Sequence, residues 1–85
     1  MNDSGWYVYI VRARDQTLYT GITTDLDRRL AEHQSGKGGA KYFRGRDALE
    51  MVFTESKHTR STASKREAEI KKLPRHQKLS LIKNN

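Results

Sequence analysis

Residues 6–11, WYVYIV, form an unbroken run of aromatic and β-branched side chains, and this run decides what the chain can fold into. Six residues are too few for an ordinary helix, whereas side chains of this shape pack well on a pleated surface, so the run reads as a strand. Arg14-Asp15-Gln16 is a polar break, and Thr17-Leu18-Tyr19-Thr20 follows as a second strand that ends at Gly21. Strands this close in sequence pair as an antiparallel hairpin. With the turn centred near Arg14, Tyr9 lies opposite Tyr19 and both rings stand on one face of the sheet. Leu49, Met51 and Phe53 alternate with other residues and give a third strand.

Helical signals fill the remainder. Thr24-Asp25-Leu26-Asp27 opens a helix with a Thr cap, Leu26 and Leu30 form its core stripe, and Gly36 ends it. Arg29 and His33, four apart, share an adjacent stripe. The segment GKGGAKYFRG, from Gly36 to Gly45, reads as a glycine-rich, basic and aromatic loop. Thr62 or Ser61 caps a second helix running to Leu73, where Pro74 stops it and suits the first turn of a last short helix. Leu79, Leu81 and Ile82 are the residues that dock that helix. The fold is therefore α+β, a small three-stranded antiparallel sheet flanked by helices in the order β-β-α-β-α-α. One domain spans 1–85, with its core at about 6–82.

Composition narrows the chemistry. The chain has 85 residues and no cysteine, which removes disulfides, zinc ribbons, thiolate nucleophiles and iron–sulfur ligation. Three scattered histidines give no zinc pattern. Without a GxxxxGK[ST] stretch there is no P-loop, so no nucleotide cofactor is expected. No apolar run approaches the ~20 residues of a membrane span, and the start lacks the layout of a signal peptide. The expectation is a cytoplasmic protein without a membrane partner.

Charge points to the partner. Lys plus Arg is 17 against 10 Asp plus Glu, a net charge of +7. After Glu55 there are nine basic residues and only two acids, Glu67 and Glu69. Such asymmetry reads as a phosphate-facing side, because neutralised phosphates release condensed counterions. The plainer reading is solubility alone.

Positions 63, 67 and 70 follow helical spacing, so Glu67 shares a stripe with Ala63 and Ile70, while Glu69 falls on the outer face. An acid on that stripe is costly unless a cation or a metal meets it, and an arginine partner is the plain alternative. Taken alone, Tyr9 and Tyr19 read as packing residues, and Arg29 with His33 as a helix surface pair.

Taken together, these residues resemble the GIY-YIG nuclease family. Tyr7-Val8-Tyr9 and Tyr19-Thr20-Gly21 stand where that family has its "GIY" and "YIG", ten residues apart. Arg29 follows ten after Tyr19, and Glu67 of Ala63-Ser64-Lys65-Arg66-Glu67 fits the later metal-binding glutamate. Tyr7 replaces the glycine of "GIY" and Thr20 the isoleucine of "YIG", neither of them a reactive group. Thr20-Gly21-Ile22-Thr23-Thr24, Arg28-Arg29-Leu30 and Gly36-Lys37 look like the short, free-standing bacterial members. The larger relatives include homing endonucleases, restriction enzymes and the excision-repair nuclease subunit, which implies a setting in DNA repair or recombination.

The resemblance implies an endonuclease that hydrolyses phosphodiester bonds in DNA, RNA being the open alternative, with Mg²⁺ or Mn²⁺ held by Glu67. Tyr9, Tyr19, Arg29, His33 and Glu67 are then the catalytic set. Arg29 suits a phosphate through its planar fork of donors. A tyrosine of ordinary pKa ~10 is a poor base unless cations lower it, which Arg29 and a metal would do. Tyr9, Tyr19 and His33 all remain candidate bases. Lys37, Lys41, Arg44 and Arg46, interleaved with Tyr42 and Phe43, suit a strand of nucleic acid. Nothing here resembles the separate DNA-binding domain of the larger members. The alternatives are accordingly a non-catalytic nucleic-acid-binding module or a catalytic subunit with a protein targeting partner.

Overall fold

The computed structural model describes residues 5–36 and 47–84. The chain runs β1 (Trp6–Ala13), β2 (Leu18–Thr23), α1 (Leu26–Ser35), β3 (Ala48–His58), α2 (Arg60–Lys71) and α3 (Arg75–Lys83). The three strands form one antiparallel sheet in the order β2-β1-β3, so the apolar run WYVYIV becomes the central strand. Alternation along β1 divides the core in two. Val8 and Ile10 point to one face, where Phe53 and the α2 residues Ala63 and Ile70 cover them with Leu81 and Ile82 of α3 alongside. Tyr9, Val11 and Ala13 point to the other, against Ala48, Met51, Tyr19 and the α1 residues Leu26 and Leu30. No helix among the described residues is long and apolar enough to cross a membrane.

Several local expectations shift. Tyr9 faces Gly21, and Tyr19 faces Val11, two positions from the expected Tyr9–Tyr19 pairing. The turn centres on Asp15, whose carboxylate accepts from both the backbone and the hydroxyl of Thr17, while Gln16 takes a left-handed φ of 72°. That makes a three-residue loop, which moves the register by two and so keeps both rings on one face. β2 also runs through Gly21 to Thr23.

In β3, Met51 and Phe53 fall on opposite faces, because the register slips between Ile10–Phe53 and Val11–Met51. A bulge there sends one residue to each half of the core. The cap of α1 is Asp25, which accepts from Arg28 N, rather than Thr24. The cap of α2 is Thr59, two or three residues before the expected start, in a reciprocal capping box with Thr62. Leu79 is 44% exposed and does not dock α3; Leu81 and Ile82 do.

Candidate active site

Tyr9 is the centre of the site. It stands mid-way along the central strand, 1% exposed, and its ring crosses over Gly21 of the edge strand. Its hydroxyl reaches α1, where one helical turn separates Arg29 from His33 and places both on the same flank. Arg29 Nε donates to Tyr9 Oη at 3.4 Å, and His33 Nε2 lies 2.8 Å from the same oxygen. Arg29 Nη1 also donates to Glu32 Oε1 at 3.0 Å. Tyr19 completes a cluster of three rings, its centroid 6.4 Å from that of Tyr9 and 5.4 Å, edge-on, from that of His33.

Helix α2 approaches the same place from the other layer. Ala63 and Ile70 are buried, and Glu67 between them is half-buried with its side chain 24% exposed. Glu67 Oε2 pairs with Lys71 Nζ at 3.3 Å, and that ammonium lies 5.9 Å from the centre of the Tyr19 ring. Glu67 is close enough for its charge to help hold the proton on Tyr9. Glu69 is exposed and pairs with Arg66, as an outer-face acid should.

The structure thus brings Tyr9, Tyr19, Arg29, His33 and Glu67 together around the β2 edge of the sheet. Lys37, Lys41, Arg44 and Arg46 lie outside the described residues. Three contributions to the site are not given by residue type, although Gly21 stands in the matched motif. Gly21 is one: a β-carbon there would stand 2.5 Å from Tyr9 Oη, so only glycine lets the phenol pass. The others are Glu32, three after Arg29, and Lys71, four after Glu67, both of them signalled by helical spacing alone.

Burial governs the protonation of the site. Removal from water pushes the Tyr9 phenol up to about 12, outweighing the hydrogen bond from Arg29 that pulls the other way. The expectation that Arg29 brings a tyrosine down is therefore reversed at Tyr9. His33 is brought down to about 4, first by burial and then by the charge of Arg29. At neutral pH the buried pair is a neutral phenol beside a neutral imidazole, next to a guanidinium whose bonds to Tyr9 and Glu32 outweigh its own desolvation and keep it charged.

A family model described as the GIY-YIG catalytic domain matches residues 5–80. The chain belongs to the GIY-YIG family. Its similarity to a UPF0213 protein of Syntrophus aciditrophicus is 51% identity over 79 residues, 93% of this chain and 91% of that one. To a UPF0213 protein of Yersinia pestis it is 50% over 82 residues, 96% and 85% of the two chains. Among solved structures, the solution NMR structure of a UPF0213 protein from Bacillus halodurans shares 44% identity at a TM-score of 0.60, covering 94% of this chain and 84% of that one. A protein of E. faecalis, also solved by NMR, shares 46% at a TM-score of 0.60, covering 92% and 82%. Membership in the GIY-YIG family implies a nuclease domain, and therefore a nucleic acid substrate.

GIY-YIG nucleases generally use divalent metal ions. The residues here fit one such ion held sparingly. Glu67 offers a hard anionic oxygen that is neither fully buried nor committed to an arginine. No group of three acids or histidines gathers among the described residues. Glu67 would be the carboxylate for an ion like Mg²⁺, which binds through one or two carboxylates and keeps waters and substrate phosphate as its other ligands.

Proposed function

We propose that this GIY-YIG chain is a DNA endonuclease that hydrolyses phosphodiester bonds with one divalent cation, Mg²⁺ or Mn²⁺, at Glu67. The observation that carries the reading is the placement of one buried phenol oxygen, Tyr9 Oη, between a guanidinium donor 3.4 Å away and an imidazole nitrogen 2.8 Å away. A purely structural tyrosine needs one partner for its hydroxyl; this one has two, of different chemical kinds.

The chemistry follows from those groups. Arg29, steadied by Glu32, presents N–H donors to a phosphate oxygen and stabilises the charge that develops there. The attacking water gives its proton to Tyr9 Oη while the phenol passes its own to His33 Nε2, so no free phenolate is needed. The water oxygen bonds to phosphorus, the bond to the leaving sugar oxygen breaks, and that oxygen is protonated from solvent. A phosphate seated on Arg29 offsets the positive charge that helps hold His33 down, so the imidazole becomes a better base when substrate is bound. A divalent cation on Glu67 would supply charge neutralisation at the phosphate and the leaving oxygen. Tyr19 closes the ring cluster beside this path.

The test is incubation with labelled duplex, branched and single-stranded DNA and with RNA, with and without Mg²⁺ or Mn²⁺. Cation-dependent cleavage of at least one DNA substrate is expected. Salt-sensitive binding to the whole panel without cleavage would instead give the binding-module reading.

A further inference from the structure

The cations of α2 and α3 are not spread evenly around the site. Lys71 ends α2 over the Tyr19 ring and pairs with Glu67, so it belongs to the rim of the candidate active site. Four residues on, Arg75 opens α3, and Lys78 follows one turn later. Arg75 and Lys78 line one side of a groove of about 250 Å³, whose other side is Thr17 and Leu18, at the start of the edge strand just before Tyr19. The groove therefore starts one residue from the site and continues its line of positive charge past the sheet edge. No acid lies on α3, and neither Arg75 nor Lys78 has an ion-pair partner among the described residues, so both cations beside the groove are available to an anion.

We propose that Lys71, Arg75 and Lys78 form a track for the sugar–phosphate backbone of the DNA strand leaving the cleavage site, with the Thr17–Leu18 groove as its floor. This rests on the nuclease reading for the identity of the strand. The complementarity is one of charge: Lys71 closes α2 at the rim of the site, and Arg75 and Lys78, one turn apart on α3, flank the open groove. Unpaired guanidinium and ammonium groups beside an open groove favour a polyanion, because each phosphate contact releases counterions.

The experiment compares Arg75→Gln/Lys78→Gln with Lys57→Asn/Lys65→Gln, two double variants that both lower the net charge by two. Lys65 lies two residues from Glu67 on α2, about 200° round the helix, and so faces away from the site. Binding to a labelled duplex carrying a single-stranded end is measured from low to moderate salt, and cleavage is followed in the same preparations. The log–log salt slope should become shallower by about two for Arg75→Gln/Lys78→Gln, at ~0.9 for each lost phosphate contact. For the Lys57/Lys65 pair it should change by much less, and the cleavage defect of the track variant should fall on KM. Equal shifts in the two variants, or none in either, would overturn the track while leaving the nuclease reading standing if the native chain cleaves. A selective shift in a chain that cuts nothing would keep the track and remove the nuclease reading. Absence of salt-dependent binding in the native chain would remove both.

Discussion

Gly21 lies directly under the phenol of Tyr9: a β-carbon at position 21 would come within 2.5 Å of Oη and 2.7 Å of Cζ. The two residues are register partners on neighbouring strands, so neither can slide away from the other without breaking the hairpin. Gly21→Ala therefore forces the ring, not the backbone, to move. Overpacking of this kind costs about 1–3 kcal/mol, and the melting temperature should fall by roughly 4–8 °C for each of those kcal/mol. Below its melting range the variant should remain folded and still lose cleavage, because Oη has left Arg29 and His33. An unchanged melt would mean that the phenol does not cross Gly21.

His33 gives stability a pH dependence whose sign can be worked out. Its folded pKa is about 4 against an ordinary 6.5, so between those values the unfolded chain binds more protons than the native one. Stability is then fully present above pH 6.5 and declines as the pH falls towards 4. Among the described residues, those facing His33 include Tyr9 and Tyr19 from the sheet and Arg29 and Glu32 on its own helix. At 1% exposure the ring is not screened by solvent, and a shift of this size corresponds to roughly 3 kcal/mol. Glu55, whose bonds to His58 and Arg66 outweigh its desolvation and hold its carboxyl down, adds a further loss at more acidic pH. Urea midpoints at pH 7 and 5 should differ clearly in the native chain and much less in His33→Gln. Parallel declines in the two proteins would assign the acid sensitivity elsewhere.

What the sequence made legible, and what it did not, divides along physical lines. Element order follows from side-chain periodicity, which is local. That Arg29 and His33 share a flank follows from one helical turn, whereas their meeting with Tyr9 depends on how α1 lies against the sheet. Register is different: moving the turn centre from Arg14 to Asp15 changes no hydrophobic pattern, yet it exchanges Tyr19 for Gly21 as the partner of Tyr9. The bulge that separates Met51 from Phe53 is likewise invisible, because simple alternation fits either face. Cap positions are ambiguous where neighbouring cap-forming residues compete, as Thr24 does with Asp25 and as Ser61 and Thr62 do with Thr59.

Glu67→Gln tests the cation site. The substitution is nearly isosteric, and the lost pair with Lys71 is a helix-surface interaction worth about 0.5 kcal/mol, so the fold should survive with little change in melting temperature. DNA binding should be kept or improved, since an acid has been removed from a basic surface. Cleavage should vanish at every Mg²⁺ or Mn²⁺ concentration, because an amide oxygen holds a hard divalent ion poorly. Glu69→Gln, which only frees Arg66 on the outer face, should cleave normally. If Glu67→Gln cuts as fast as the native chain, the ion is not held there.

Arg29 separates cleavage from binding most sharply, because its neighbour Arg28 supplies the control. The two are adjacent on α1, yet Arg28 is exposed while Arg29 is half-buried between Tyr9 and Glu32. Lysine at either position keeps the charge and so keeps the electrostatic share of DNA affinity. At position 29, however, it loses the planar fork that lets one side chain donate to Tyr9, to Glu32 and to a phosphate at once. A point charge on a flexible stem cannot hold all three directions. Arg29→Lys should therefore bind DNA nearly as well as the native chain and cleave it ~10²–10³-fold more slowly, the usual loss for one oriented donor to a reacting oxyanion. Arg28→Lys should change both quantities less than twofold. The loss at Arg29 should appear in kcat, since the missing interaction is one that strengthens as charge develops on the phosphate. A defect confined to KM would make Arg29 a binding residue only, and equal small effects at both positions would remove it from the site.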